Sequence, residues 1–150
     1  MMRGMTDVLL REVRDEDLET FFEYEADPEA SRRARFPSRE REVFLHHWRT
    51  RILGDPAVGA RTVLADGEVA GNIVAWEDDG RWWVGYWYGR KFWGRGIGTK
   101  ALQQYLAEFS VRPLYADPVV TNTGSVKLLE RCGFTETEGA NDGQALYVLS

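Results

Sequence analysis

The sequence predicts a mixed α/β domain of about six strands and four helices, on three observations. Strand-like and helix-like patterns follow one another in the order β-α-α-β-β-β-α-β-α-β, with no repeat or low-complexity tract. Asp-Gly pairs separate three consecutive strand-like runs, so the middle of the sheet is built from antiparallel hairpins. A glycine-rich loop, Phe92-Trp93-Gly94-Arg95-Gly96-Ile97-Gly98-Thr99, then joins a strand-like aromatic run to an amphipathic helix.

Each element has its own local reason. Asp7–Val13 reads as a first strand. Asp15, Glu16 and Asp17 supply a cap and an acidic first turn for a helix carrying Leu18, Phe21, Phe22 and Glu25. Pro28 and Pro37 punctuate the next segment. A second helix is expected from about Ser38, its cap, to Leu53, with Val43, Phe44, Trp48 and Ile52 as its apolar stripe. Arg61–Ala65, Glu68–Glu77 and Arg81–Tyr88 read as strands joined by turns at Asp66-Gly67 and Asp78-Asp79-Gly80. The helix after the glycine loop places Ile97, Ala101, Leu102, Tyr105 and Phe109 on one side. Pro113–Val120 is a short strand, Ser125–Cys132 a helix stopped by a left-handed Gly133, and Ala145–Leu149 the last strand.

Composition narrows the class. With 150 residues, 43% hydrophobic and 29% charged, the chain matches one globular domain spanning 1–150. A net charge of −5 argues against a general nucleic-acid binder. No apolar run approaches the ~20 residues of a membrane span, and the N-terminus lacks an apolar signal segment. The single cysteine, Cys132, cannot form an internal bridge, which points to a reducing, cytoplasmic setting. No metal-ligand spacing is present.

The glycine loop carries the chemistry. Glycines admit close backbone approach and positive φ. The helix behind them offers unpaired N–H groups and the positive end of its dipole, an arrangement suited to a phosphate or pyrophosphate.

Two motifs resemble the GNAT (N-acetyltransferase) superfamily. One is Gly85-Tyr86-Trp87 followed by Trp93-Gly94-Arg95-Gly96-Ile97-Gly98-Thr99-Lys100-Ala101-Leu102, similar to the family's acetyl-CoA pyrophosphate loop. The other is Asn122-Thr123-Gly124-Ser125 with Leu128-Leu129-Glu130-Arg131-Cys132-Gly133-Phe134. The wording leans towards the branch of ribosomal-protein N-terminal acetyltransferases and small-molecule relatives. The resemblance implies a mostly antiparallel mixed sheet splayed between strands four and five. It also implies transfer of acetyl from acetyl-CoA, as cosubstrate, to a primary amine on a small molecule or peptide N-terminus. A non-catalytic acyl-CoA-binding module, or a structural protein of the same fold, are the alternatives.

Carried over residue by residue, the resemblance assigns the pyrophosphate to the amides of Arg95, Gly96, Ile97, Gly98 and Thr99. The pantetheine arm falls to the backbone of Trp87, Tyr88 and Gly89, with Asn122 as a further partner. Ser125 is the candidate donor to the departing sulfur, although Asn122 and Ser125 also fit a helix cap and its first turn. Glu77 is the first candidate for general base, with Glu138, Asp142 or a water chain as alternatives. Many members carry a tyrosine in the helix that starts here at Ser125; residues 125–129 offer none. Trp83 stands where this branch often has a glutamate. Dimers are common in the family, and an exposed edge strand would permit one. Finally, seven arginines from Arg32 to Arg51 against Glu40 and Glu42 form a basic segment. It reads as a solvated helix face or as an attractor for an anionic acceptor.

Overall fold

The computed structural model describes residues 6–150. Its strands are β1 (Val8–Arg11), β2 (Gly59–Ala65), β3 (Glu68–Asp78), β4 (Arg81–Tyr88), β5 (Leu114–Ala116), β6 (Thr135–Thr137) and β7 (Leu146–Leu149). The helices are α1 (Asp17–Ala26), α2 (Pro28–Ala34), α3 (Arg41–His47), α4 (Ile97–Glu108) and α5 (Thr123–Arg131). The strands form one sheet in the order β1-β2-β3-β4-β5-β7-β6, antiparallel throughout except for the parallel β4–β5 pair. One apolar layer packs Ile97, Leu102, Tyr105 and Leu129 of α4 and α5 against Ile73, Val84 and Leu114. A second gathers Leu18, Phe21, Phe44, Leu45 and Trp48 from α1, α3 and the turn that follows α3. Helices thus cover both faces of the sheet.

Both Asp-Gly turns appear as expected. Asp66 and Gly67 have φ of 50° and 82°, and Asp79 and Gly80 have 50° and 79°. Positive φ at both central residues matches the twist of a two-residue hairpin. Gly133 stops α5 at φ 91°, its N–H donating to the Glu130 carbonyl at 3.1 Å.

The sheet has one strand more than expected, and there is one more helix. The added strand, β6, is Thr-Glu-Thr, exposed throughout and placed by its register against Leu146–Val148, so no alternation marks it. The added helix, α2, starts at Pro28, with the Asp27 carboxylate accepting the Glu29 N–H at 3.0 Å. Proline at a first helical position begins a helix as readily as it breaks one. The helix expected from Ser38 begins instead at Arg41 and loosens into a π-turn over Trp48–Ile52, closed by Leu53 N–H to Trp48 O at 2.8 Å. The strand expected over Pro113–Val120 is regular only for three residues, ending before Pro118, which has no N–H to give.

The join between β4 and β5 determines where a ligand can enter. These strands pair only at Trp82–Leu114 and Trp83–Tyr115. Beyond that point β4 stays with β3 as far as Tyr88–Gly71, while β5 follows β7. A bulge at Ala70 interrupts the β2–β3 register, which passes from Val63–Gly71 to Leu64–Val69. The Ala70 carbonyl accepts the Gly89 N–H at 2.9 Å, tying the end of β4 to β3 and leaving the gap on the β5 side.

Candidate active site

A cleft of about 560 Å³ opens at this splay, between the end of β4, the glycine loop, the start of α5 and the end of α2. Gly94 and Gly96 adopt φ of 70° and 75°, and a Cβ at either would meet nothing within 4 Å, so the loop backbone is bare towards the cleft. Gly96 caps α4, and the first intrahelical bond runs from Lys100 N–H to its carbonyl at 3.2 Å. The N–H groups of Ile97, Gly98 and Thr99 therefore have no partner within the helix. Trp93 anchors the loop: its indole N–H donates to the Tyr88 carbonyl at 3.0 Å, and the Arg33 guanidinium lies 4.5 Å from its ring centre. Lys127 and Arg131 add positive charge to the walls.

Across the gap lies a second cleft of about 230 Å³, reached past Tyr86, Trp87, Asn122 and Ser125, which line both. Phe36, Asp117, Pro118 and Gln144 complete it. The Trp87 indole is held by its N–H donating to the Tyr24 carbonyl at 3.0 Å and by the edge of Phe36 at 5.9 Å. Asp117 is the carboxylate of this cleft among the described residues. Desolvation by the cleft walls raises its carboxyl from the ordinary value although the residue is exposed overall, and its own amide offsets part of that; the Gln144 side-chain amide donates to the Asp117 main-chain carbonyl at 2.8 Å. At the junction of the clefts the Tyr86 hydroxyl lies 2.7 Å from Ser125 Oγ.

The structure brings Trp87, Tyr88, Gly96, Ile97, Gly98, Thr99, Asn122 and Ser125 together on the first cleft. Asn122 also caps α5, its side chain accepting the Ser125 N–H at 3.4 Å. Two expected cofactor contacts stand apart. Gly89 is buried against the Tyr24 ring, where a Cβ would come within 2.6 Å, and its N–H is already spent on Ala70. The Arg95 side chain points to Thr6 and Asp66, at 3.3 and 3.8 Å, which leaves only its main chain near the loop.

Glu77 does not join the site. It pairs with Trp82 beside the β3–β4 turn, while Asn72 is the β3 residue opposite Trp87. Five residues of strand put it ~17 Å from that end. Because β3 runs antiparallel to β4, its C-terminal end lies away from the splay. Glu138 and Asp142 are exposed on the β6–β7 connection and line neither cleft. Nothing in the periodicity singles out Asp117, although its place just beyond the fifth strand is the available signal. Five of the seven arginines of the basic segment are paired with carboxylates, three of them with partners distant in sequence. Arg32 and Arg33 pair with Glu29, Arg39 with Glu25, Arg41 with Glu19 and Glu42, and Arg49 with Asp15.

A family model described as an acetyltransferase (GNAT) domain matches residues 7–135. The chain belongs to the GNAT acetyltransferases. No curated protein is a significant match to this GNAT chain in sequence. Solved structures share its fold. A domain from Methanocaldococcus jannaschii superposes with a TM-score of 0.81 at 18% identity, covering 97% of this chain and 99% of its own. Aminoglycoside acetyltransferase AAC(6')-Ib, solved with coenzyme A, gives 0.76 at 20%, covering 95% and 93%. The ribosomal L7/L12 alpha-N-protein acetyltransferase RimL, also solved with coenzyme A, gives 0.77 at 18%, covering 95% and 93%. Among the described residues, no helix of this GNAT domain is long and apolar enough to cross a membrane.

Proposed function

We propose that this GNAT domain moves an acetyl group from acetyl-CoA to a primary amine by direct attack, with both substrates held at once. One observation carries the reading: a bare, N–H-lined helix start faces a cleft that continues through the β4–β5 gap into a second cleft containing Asp117. Positioning alone supplies much of the acceleration in such a transfer.

The residues fit acetyl-CoA. The N–H groups of Ile97, Gly98 and Thr99, with the loop amides of Arg95 and Gly96, would hold the pyrophosphate, and a side chain on Gly96 would fill that cradle. Lys127 and Arg131 add charge for phosphate oxygens. Trp87 and Tyr88 offer strand backbone that β5 leaves unpaired, and Asn122 adds a side-chain amide. Acetyl-CoA supplies the activated thioester carbonyl. Asp117, in place of Glu77, takes the proton from the attacking amine in the second cleft. A main-chain N–H of β4 faces the negative charge that develops on the acyl oxygen. Ser125 donates to the sulfur as the bond to carbon breaks.

The test is calorimetric titration of acetyl-CoA into the wild type and into Gly96→Asp, followed by thiol release with an amine panel. The added side chain enters open space, but any Cβ strains the backbone at φ 75°, so Gly96→Ala is the uncharged control: binding kept there and lost in Gly96→Asp reports charge at the pyrophosphate site. Micromolar binding lost in Gly96→Asp, with thiol release that depends on an amine, supports the reading. Binding without such release leaves an acyl-CoA-binding module, and no wild-type binding removes acetyl transfer.

A further inference from the structure

We propose that Tyr86 holds the Ser125 hydroxyl towards the departing sulfur, so that a β4 tyrosine positions the α5 serine as the hydrogen-bond donor to the leaving thiolate. The inference rests on the acetyl-transfer reading and adds a residue to it. Tyr86 and Ser125 line both clefts, so they stand where a donor in one meets an acceptor in the other. Their oxygens are 2.7 Å apart, and the Tyr86 hydroxyl also reaches the Ser125 carbonyl at 3.3 Å. The backbone of Ser125 is fixed independently by the Asn122 cap.

A serine hydroxyl has one proton and two lone pairs. When Tyr86 donates to Oγ, the serine proton is turned away from the tyrosine and is available to the cleft. Without Tyr86, the serine in a first turn rotates freely or bonds back to nearby backbone. The phenol suits this duty because it keeps its proton. Burial pushes it well above its ordinary value, and the bond to Ser125 returns only part of the shift. The Tyr88 ring, 6.1 Å away at 37°, packs beside it.

The bond changes then balance. The amine lone pair forms the N–C bond, and its proton passes to Asp117. The C–S bond breaks with its electron pair remaining on sulfur. The thiolate accepts the Ser125 O–H hydrogen bond while Tyr86 donates to Ser125, and it takes a proton from solvent after release. Neither hydroxyl is consumed. Tyr86 therefore acts as a positioning residue through Ser125, and it contributes no limb of its own to the pH profile.

The decisive measurement uses coenzyme A itself. The ultraviolet absorbance of its thiolate is titrated in complex with the wild type, Tyr86→Phe, Ser125→Ala, Ser125→Thr and the Phe/Ala double variant. A donated hydrogen bond favours the thiolate, so the bound thiol should ionise about half a pH unit or more lower in the wild type than in Tyr86→Phe or Ser125→Ala. The double variant should match Ser125→Ala alone, because the two residues act as one unit. Ser125→Thr should retain the low titration. In turnover, Tyr86→Phe should lower kcat about tenfold with the KM for acetyl-CoA unchanged. Equal titration in wild type and Tyr86→Phe, or effects of the two single variants that simply add, overturns the proposal. Were Tyr86→Phe not to fold, equal titration of Ser125→Ala and Ser125→Thr would overturn it. Coenzyme A bound and titrating as expected, but with no amine-dependent thiol release, upholds the pair and overturns the transfer reading instead. Failure of the wild type to bind coenzyme A overturns both.

Discussion

Asp117 and Glu77 are separated as candidate bases by their places along their strands. Both follow apolar strand residues in sequence, yet only Asp117 lies at the splayed end of its strand. Replacing Asp117 with Asn should lower kcat about 100-fold while leaving acetyl-CoA binding unchanged. A base must be ionised to accept a proton, and this carboxyl is raised in the folded protein. Wild-type activity should therefore fall, as pH drops, at a pH above that of a free aspartate, and Asp117→Asn should lose that limb. A pH–rate profile of both proteins checks it; an unchanged acidic limb in the variant would reassign the base. The cradle residues were legible in sequence because bare backbone leaves glycines behind. Asp117, the proposed base, was not, because its place depends on which strand end opens, a fact of pairing rather than of spacing.

Among the elements, β3 and β4 form the rigid wall of the site, and Gly71 permits their approach. A Cβ there would lie 2.1 Å from the Trp87 carbonyl, a backbone atom that cannot move without shifting β4. Gly71→Ala should destabilise the fold by about 3 kcal/mol and weaken acetyl-CoA binding, since Trp87 lines the cleft. Gly67→Ala, at φ 82° in open space, should lose about 1 kcal/mol with binding intact. Urea unfolding and calorimetry of the two variants make the comparison; equal losses would show that the wall does not depend on Gly71. Hairpins and amphipathic α4 could be read directly, because Asp-Gly turns and a 3.6-residue stripe are local signals. The π-turn after α3 and the exposed β6 could not. One adds a residue to a helix without changing its composition, and the other owes its place to β7.

At the scale of the molecule, the helices over one face of the sheet carry arginines that looked like a free basic patch in sequence. In the fold five of the seven are paired with acids from α1, α2 and the α1 approach. Charge read along a chain misses partners that are near only in space. Ligand should couple to global stability, because the first cleft joins β4, α2, α4 and α5. Acetyl-CoA at about 100 times its Kd should add about 2.7 kcal/mol, a rise in Tm of about 5–10 °C, and Gly96→Asp should abolish that rise. A thermal melt with and without acetyl-CoA decides it, and an unshifted wild-type Tm would argue against binding to the folded state.

The parting of β4 from β5 has one more consequence. Unpaired strand edges usually invite other chains to add on, but here the open edges lie inside the sheet, flanked by helices and only as far apart as two diverging strands allow. A neighbouring protein's strand, with side chains on both faces, would have to spread the molecule to enter. A slender molecule with amides along its stem would not. The same geometry that leaves hydrogen bonds unmade thus works as a gauge of width at this inner opening, while β1 and β6 remain the outer edges of the sheet.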